Sequence, residues 1–209
     1  MPEVVWTIVV AAGTGARFGG PKQFEQLGDR LVVDWAVDSA TRATDGVVVV
    51  VPAERADGDL VAGGATRSES VRRGLDIVPD EATVVCVHDA ARPFATAALF
   101  RRVVQAVAGG ADGAIPGVPV VDTVKQVDAD GNVVATPDRA DLVAVQTPQA
   151  FRADVLRKAH AGAAEGTDDA ALVEAIGAAV VVVPGEEANR KLTLPEDLDW
   201  ARRRVAAGG

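Results

Sequence analysis

The chain has 209 residues, 48% hydrophobic and 24% charged, which suits a globular fold with a full core. A formal charge of −9 excludes a protein that presents a broad basic face to nucleic acid, yet leaves room for a small local cluster of Lys and Arg. One cysteine excludes an internal disulfide and fits a reducing cytoplasm, and no apolar run approaches the ~18 residues of a membrane span.

Residues 4–10 are an apolar, β-branched run leading into glycine-rich sequence, which predicts a buried parallel strand. No basic segment precedes it, so the opening residues 1–6 read as strand and not as a signal peptide. Apolar residues at helical spacing (Val32, Ala36 and Ala40 among them) predict a helix over 31–43. Residues 47–51 predict a second strand, stopped by Pro52. Thr66 and Glu69 are spaced as a capping box ahead of a helix over 69–78. A third strand is expected at 83–87, a helix at 96–108 and a fourth strand at 114–118. Between 122 and 147 the helical period disappears. Thr123–Val127, a turn at Asp130-Gly131-Asn132 and Val133–Ala135 then predict a hairpin. Such an arm, at about residues 119–145, would project from the sheet and invite dimerisation. Helices at 152–161 and 169–176, a strand at 179–183 and a last helix at 196–205, opened by Pro195, complete the chain. The fold class is α/β: one Rossmann-like, doubly wound, mostly parallel sheet with a protruding β-hairpin arm.

In such a sheet ligands bind beyond the carboxyl ends of the strands. The first loop there reads Ala11-Ala12-Gly13-Thr14-Gly15-Ala16-Arg17-Phe18-Gly19-Gly20-Pro21-Lys22-Gln23. Its glycines let backbone amides approach phosphate oxygens. A dinucleotide fingerprint is excluded, because the third glycine is displaced and Pro52 stands where an acid should end the second strand. A Walker A loop is excluded because Lys22 is followed by Gln23. Arg17 and Lys22 could neutralise a triphosphate and the charge that grows as pyrophosphate leaves. The plain alternative is a flexible connector with solvated charges.

The third strand runs into His88-Asp89-Ala90-Ala91-Arg92-Pro93, placing Asp89 at the same edge. A lone carboxylate suits Mg²⁺, and Arg92 could grip an anion as a fork, unless the two merely pair in a turn. Gly63 to Ser70 precedes a helix and could form an anion or base-edge site, or an ordinary cap. His160 reads as an inert residue on a surface helix, and His88 as a packed strand-end imidazole, or else a ligand or a base. The shortage of bases suits an attacking phosphate, already anionic at neutral pH. The expectation is a soluble, Mg²⁺-dependent nucleotidyltransferase acting on a small phosphorylated metabolite.

The motifs extend this reading. Ala-Ala-Gly-x-Gly-x-Arg with Pro-Lys-Gln, Gly-Gly-x-x-Arg-x-x-Ser-Val, His-Asp-Ala-Ala-Arg-Pro, Asp122-Thr123-Val124-Lys125, Gln146 to Phe151, Thr167-Asp168-Asp169 and Lys191-Leu192-Thr193 occur in that order. Together they resemble the 2-C-methyl-D-erythritol 4-phosphate cytidylyltransferase family over essentially the whole chain. The resemblance implies one nucleotidyltransferase domain over 1–209 that joins CTP and the polyol phosphate with release of pyrophosphate. It implies Arg17, Lys22 and Lys191 as catalytic residues, and Asp89 as the Mg²⁺ ligand. Ala11, Ala12, Gly13, Thr14, Gly15, Gly64, Ser70, Asp89 and Ala90 would surround CTP. Asp89, Arg92, Thr123, Arg139, Thr147 and Lys191 would bind the acceptor, Thr123 and Arg139 reaching a partner's site in an arm-exchanged homodimer. Four residues between Arg17 and Lys22 imply a short flap, the segment before Thr167 looks trimmed, and Arg190 replaces an apolar residue. Competing readings are a ribitol 5-phosphate cytidylyltransferase, a non-catalytic nucleotide-binding regulator, and an NAD-dependent oxidoreductase, the last opposed by Pro52.

Overall fold

A computed structural model describes residues 3–208; Met1 and Pro2, read with the opening strand, lie outside them. In chain order the elements are β1 (Val5–Val10), β2 (Gln26–Leu27), β3 (Arg30–Leu31), α1 (Val32–Thr41), β4 (Gly46–Val51), β5 (Val61–Ala62), α2 (Arg67–Leu75) and β6 (Val84–Asp89). There follow α3 (Ala97–Ala108), β7 (Gly113–Pro119), β8 (Gln126–Val127), β9 (Val133–Ala135), β10 (Val143–Val145), β11 (Gln149–Arg152), α4 (Ala153–Ala159), α5 (Asp169–Ala175), β12 (Val180–Pro184) and α6 (Pro195–Ala206).

The main sheet runs β10-β7-β11-β6-β1-β4-β5, with β12 also paired to β7. β1 lies parallel to β4 and β6, β4 to β5, and β7 to β12. β10 and β11 are antiparallel and follow one another along β7, opposite Gly117–Pro119 and Gly113–Ala114. Alternation along the central strands serves two cores. Val5, Val9, Val84 and Cys86 face Ala36, Ala40, Leu99, Phe100 and Val103 of α1 and α3. Ile8, Val85 and Val87 face Val71, Leu75, Leu156, Leu172 and Val173 of α2, α4 and α5. The period-two pattern of valines is thus read on both faces, as a doubly wound sheet requires. A third cluster joins Leu27, Val32, Leu192, Leu198 and Ala201, bringing α6 beside the loop after β1.

Close packing is set at one helical glycine. A Cβ on Gly74 would fall 2.6 Å from Ile8 Cγ2 and 3.2 Å from Val50 Cγ2, so α2 rests directly on the sheet. Gly74→Val is expected to destabilise the fold by about 1–3 kcal/mol. Urea titration should show a lower midpoint at unchanged slope.

Several boundaries differ from the sequence reading for local reasons. α1 starts at Val32 because the Asp34 carboxylate accepts the Leu31 N–H at 2.8 Å. α2 starts earlier than expected because the Thr66 hydroxyl caps the Glu69 N–H at 3.0 Å. Glu69 turns to the Ala65 N–H at 2.7 Å, so the expected reciprocal bond to Thr66 is not made. The helix expected from 152 is preceded by β11, a strand of 4 residues whose pairing comes from the slot between β6 and β7. It is too short to carry a periodic signal. β8 and β9 pair with an irregular register, their turn built on Asp128 Oδ1, which accepts from the Asp130 and Asn132 N–H groups. Val121, Val127, Val133 and Val134 on this segment are all more than half exposed.

Candidate active site

β1 and β6 are in register with Val10 opposite Asp89, so the loops that follow them leave the same rim. The loop after β1 is fixed from within. Gln23 is buried and its amide donates to the carbonyls of Ala11 (2.6 Å) and Gly13 (2.8 Å). Gly15 adopts φ 67°, and a Cβ there would collide with the Gly20 carbonyl. This allows Phe18, Gly19 and Gly20 N–H groups all to return to the Gly15 carbonyl. Phe18 packs onto the Leu27–Leu192 cluster, which anchors the flap that carries Arg17 and Lys22.

Asp89 is the centre of the rim. Its backbone N–H donates to Thr147 Oγ1 at 3.0 Å, and that hydroxyl also meets His88 Nδ1 at 3.0 Å. Its carboxylate accepts from Lys191 Nζ at 2.6 Å and from Arg67 Nε at 3.4 Å. Burial favours the protonated acid, but the Arg67 and Lys191 charges outweigh burial and hold the carboxyl well below the usual carboxylate range. On Lys22 burial acts first, then repulsion by Lys191 and Arg17, and its pKa is lowered despite Asp89. Lys22 is thus crowded by two further cations, with too little negative charge to balance them. A triphosphate would supply that charge.

A cleft of about 550 Å³ opens over this group. Ala11, Ala12, Gly13, Thr14, Gly15, Arg17, Lys22, Gly64, Ser70, Asp89, Ala90 and Lys191 all line it, so the residues expected for CTP and for catalysis come together. Gly64 is tied down by its N–H to Ser70 Oγ, 3.1 Å. The remaining expected acceptor residues do not line it. Arg92 lies beside it, donating to the carbonyls of Asn189 (2.8 Å) and Val145 (3.2 Å), while its buried Nε has no partner. Thr147 is buried, and its hydroxyl is engaged by Asp89 and His88. Thr123 and Arg139 are exposed on the segment around β8 and β9, with Arg139 donating to the Val121 carbonyl.

No free base or thiol competes. His88 is fully buried with its ring edge against Phe100, and burial pushes its pKa down to about 4. It is a neutral, packed imidazole. Burial pushes the Cys86 thiol up to about 12. Among the described residues no group of three or more His, Cys, Asp and Glu side chains gathers as a metal site. Asp89 is the only carboxylate among the residues that line the cleft. That fits Mg²⁺, which takes one or two carboxylates and fills its shell with phosphate and water, and it does not fit zinc.

Four participants escaped the sequence reading. Gln23 and Arg67 stood inside quoted motifs without a role, and only their bonds to the loop and to Asp89 reveal one. Asn189 carries the strut between Arg92 and Thr147, its amide donating to the Thr147 carbonyl at 2.8 Å. His160 is corrected outright. It is buried, not on the surface, and donates from Nε2 to Asp169 Oδ1 at 3.0 Å. Its partner opens α5, which packs against α4, a contact that helical periodicity could not foretell.

A doubly wound sheet with a cation-bearing glycine loop after its first strand and a lone carboxylate at the end of β6 is the arrangement expected of a nucleotidyltransferase. The sequence profile of the 2-C-methyl-D-erythritol 4-phosphate cytidylyltransferases matches residues 5–206, and the chain belongs to that family. It is 45% identical to the enzyme of that name from Rhodococcus jostii, over 98% of this chain and 96% of that protein. It superimposes on the crystal structure of the Thermus thermophilus enzyme with a TM-score of 0.81 at 35% identity, covering 95% of this chain and 98% of the other. It is also 46% identical to a bifunctional IspD/IspF enzyme of Nitrobacter hamburgensis, over 96% of this chain. The chain spans about half of that longer protein, 55% of its length.

Proposed function

We propose that this chain transfers CMP from CTP to 2-C-methyl-D-erythritol 4-phosphate, releasing pyrophosphate, within isoprenoid precursor synthesis. The observation that carries the reading is the meeting of Arg17, Lys22, Lys191 and Asp89 in one cleft floored by the glycine loop. The backbone of Ala11–Gly15 and Gly64, with Ser70, surrounds the nucleotide. Asp89 would hold a magnesium ion, which when bound offsets charge on the phosphates. The acceptor's phosphate attacks the α-phosphorus in line, and it needs no base because it is already anionic. Lys22 and Arg17 take up the charge that gathers on the departing pyrophosphate. Lys191 leaves Asp89 to orient the attacking phosphate, and the partnerless Arg92 Nε supports a second anion site beside it.

Thr123 and Arg139 reach an acceptor only in a homodimer, each arm serving its partner. The exposed valines of the segment support a surface covered in that way. The reading makes the chain a single domain working in the cytoplasm. No described helix is long and apolar enough to cross a membrane.

A direct test incubates purified protein with CTP, Mg²⁺ and a panel of polyol phosphates. Pyrophosphate release is expected with methylerythritol phosphate above all. Release with ribitol 5-phosphate alone would reassign the acceptor, and none with any acceptor would refute the proposal. The lowered pKa of Lys22 adds a pH signature. Lys22 can act on the departing pyrophosphate only while charged, so kcat/KM for CTP should be full below the folded-state pKa. It should fall as pH rises through that value, earlier than for an ordinary lysine. A flat alkaline limb of kcat/KM for CTP would count against a charge role for Lys22.

A further inference from the structure

Direct displacement makes no use of a buried pair at the back of the cleft. Asp169 and His160 are almost wholly inaccessible, and their bond is private to α5 and the end of α4. A carboxylate is costly to bury unless its oxygens are satisfied. Here Oδ1 accepts from His160 Nε2 at 3.0 Å and Oδ2 from Arg67 Nη2 at 2.7 Å. The imidazole thus carries its proton on Nε2, and its buried Nδ1 has no partner.

Arg67 is the link to the chemistry. It is the first residue of α2, and its guanidinium spans two acids. Nη2 grips Asp169 at 2.7 Å, whereas Nε stands off from Asp89 at 3.4 Å, too long for a strong charge-assisted bond. A guanidinium free to choose would clamp a carboxylate with two parallel bonds. Asp89, whose other oxygen already meets Lys191, would then have no oxygen left for a cation.

We propose that Asp169, braced by His160, is a positioning residue that pulls Arg67 away from Asp89 and so keeps the Asp89 carboxylate open to the divalent cation that accompanies CTP. The inference rests on the nucleotidyltransferase reading of the cleft. It gives the Thr167-Asp168-Asp169 run a task beyond capping, in which Asp168 alone serves α5 by accepting the Ala171 N–H at 3.0 Å. It also makes Arg67 a competitor of the metal, so removing Arg67 should repair what removing Asp169 damages.

The test measures Mn²⁺ binding by electron paramagnetic resonance, in protein saturated with the inert analogue α,β-methylene-CTP. Asp169→Asn is expected to weaken Mn²⁺ binding about 10–100-fold, the range seen when a group supporting a metal ligand is lost. The Mg²⁺ concentration for half-maximal turnover should rise in parallel, while kcat at saturating Mg²⁺ changes far less. The double variant Arg67→Met/Asp169→Asn removes the competitor together with its anchor, leaving no unpaired buried charge at this pair. Its Mn²⁺ affinity should return to the wild-type value or exceed it. A double variant as weak as Asp169→Asn, or an Asp169→Asn protein with wild-type affinity, would overturn the proposal. If Asp169→Asn alone does not fold, the double variant decides: wild-type affinity or better supports competition, and a tenfold loss refutes it. Wild-type protein that releases no pyrophosphate from CTP refutes the functional reading instead, so the two failures are distinct.

Discussion

Lys22→Ala is expected to lower kcat by about 10²–10³, with a much smaller change in CTP affinity. Lys22 sits at the foot of the flap, half-buried and crowded by Arg17 and Lys191. In the ground state the triphosphate has those neighbours and the glycine-loop amides to replace it. In the transition state charge concentrates on the leaving pyrophosphate, and a fixed ammonium there is worth most. Single-turnover kinetics separate the two effects. A loss shared equally between CTP dissociation constant and kcat would make Lys22 a binding residue only.

Asp89→Asn should be the other severe lesion, reducing kcat/KM by two orders of magnitude or more and shifting the Mg²⁺ titration at least tenfold. The amide removes the carboxylate that Lys191 and Arg67 hold ionised, but it preserves the backbone N–H to Thr147. Geometry should therefore survive while charge is lost. Freed of their partner, Lys191 and Arg67 leave the cleft more positive. Metal-free CTP, followed by calorimetry in EDTA, should bind at least as tightly as to wild type. Weaker metal-free binding together with an unchanged Mg²⁺ requirement would remove Asp89 from the metal role and leave it a scaffold residue.

What the sequence made legible, and what it hid, divides along physical lines. The strand cores were readable because valines in β4 and β6 are buried on both faces and form unbroken apolar runs. The glycine loop and the Asp89 rim were readable because strand ends in such a sheet converge. Neighbouring chemistry therefore follows from β1 and β6 being neighbours. β11 was hidden because its pairing depends on a slot made by distant strands. Arg67, Asp169 and His160 were hidden for a related reason. Their bonds span 102 and 9 positions, and nothing in local spacing says that Arg67 will reach both acids. Gln23 looked like one more polar residue in a loop, yet its two bonds to the Ala11 and Gly13 carbonyls hold the glycine loop in shape.

The claim on which the rest depends is that fixed cations, and no protein nucleophile or base, carry the nucleotidyl group directly from CTP to the acceptor. The stereochemical course at phosphorus tests it most directly. A single diastereomer of CTP carrying sulfur on the α-phosphate is turned over with the polyol phosphate acceptor, and the configuration of the product is read by ³¹P NMR. Direct displacement within the cleft predicts inversion. Retention would mean two successive displacements through a nucleotide attached to the protein, and would contradict the roles of Arg17, Lys22 and Lys191 as cations that act on charge alone.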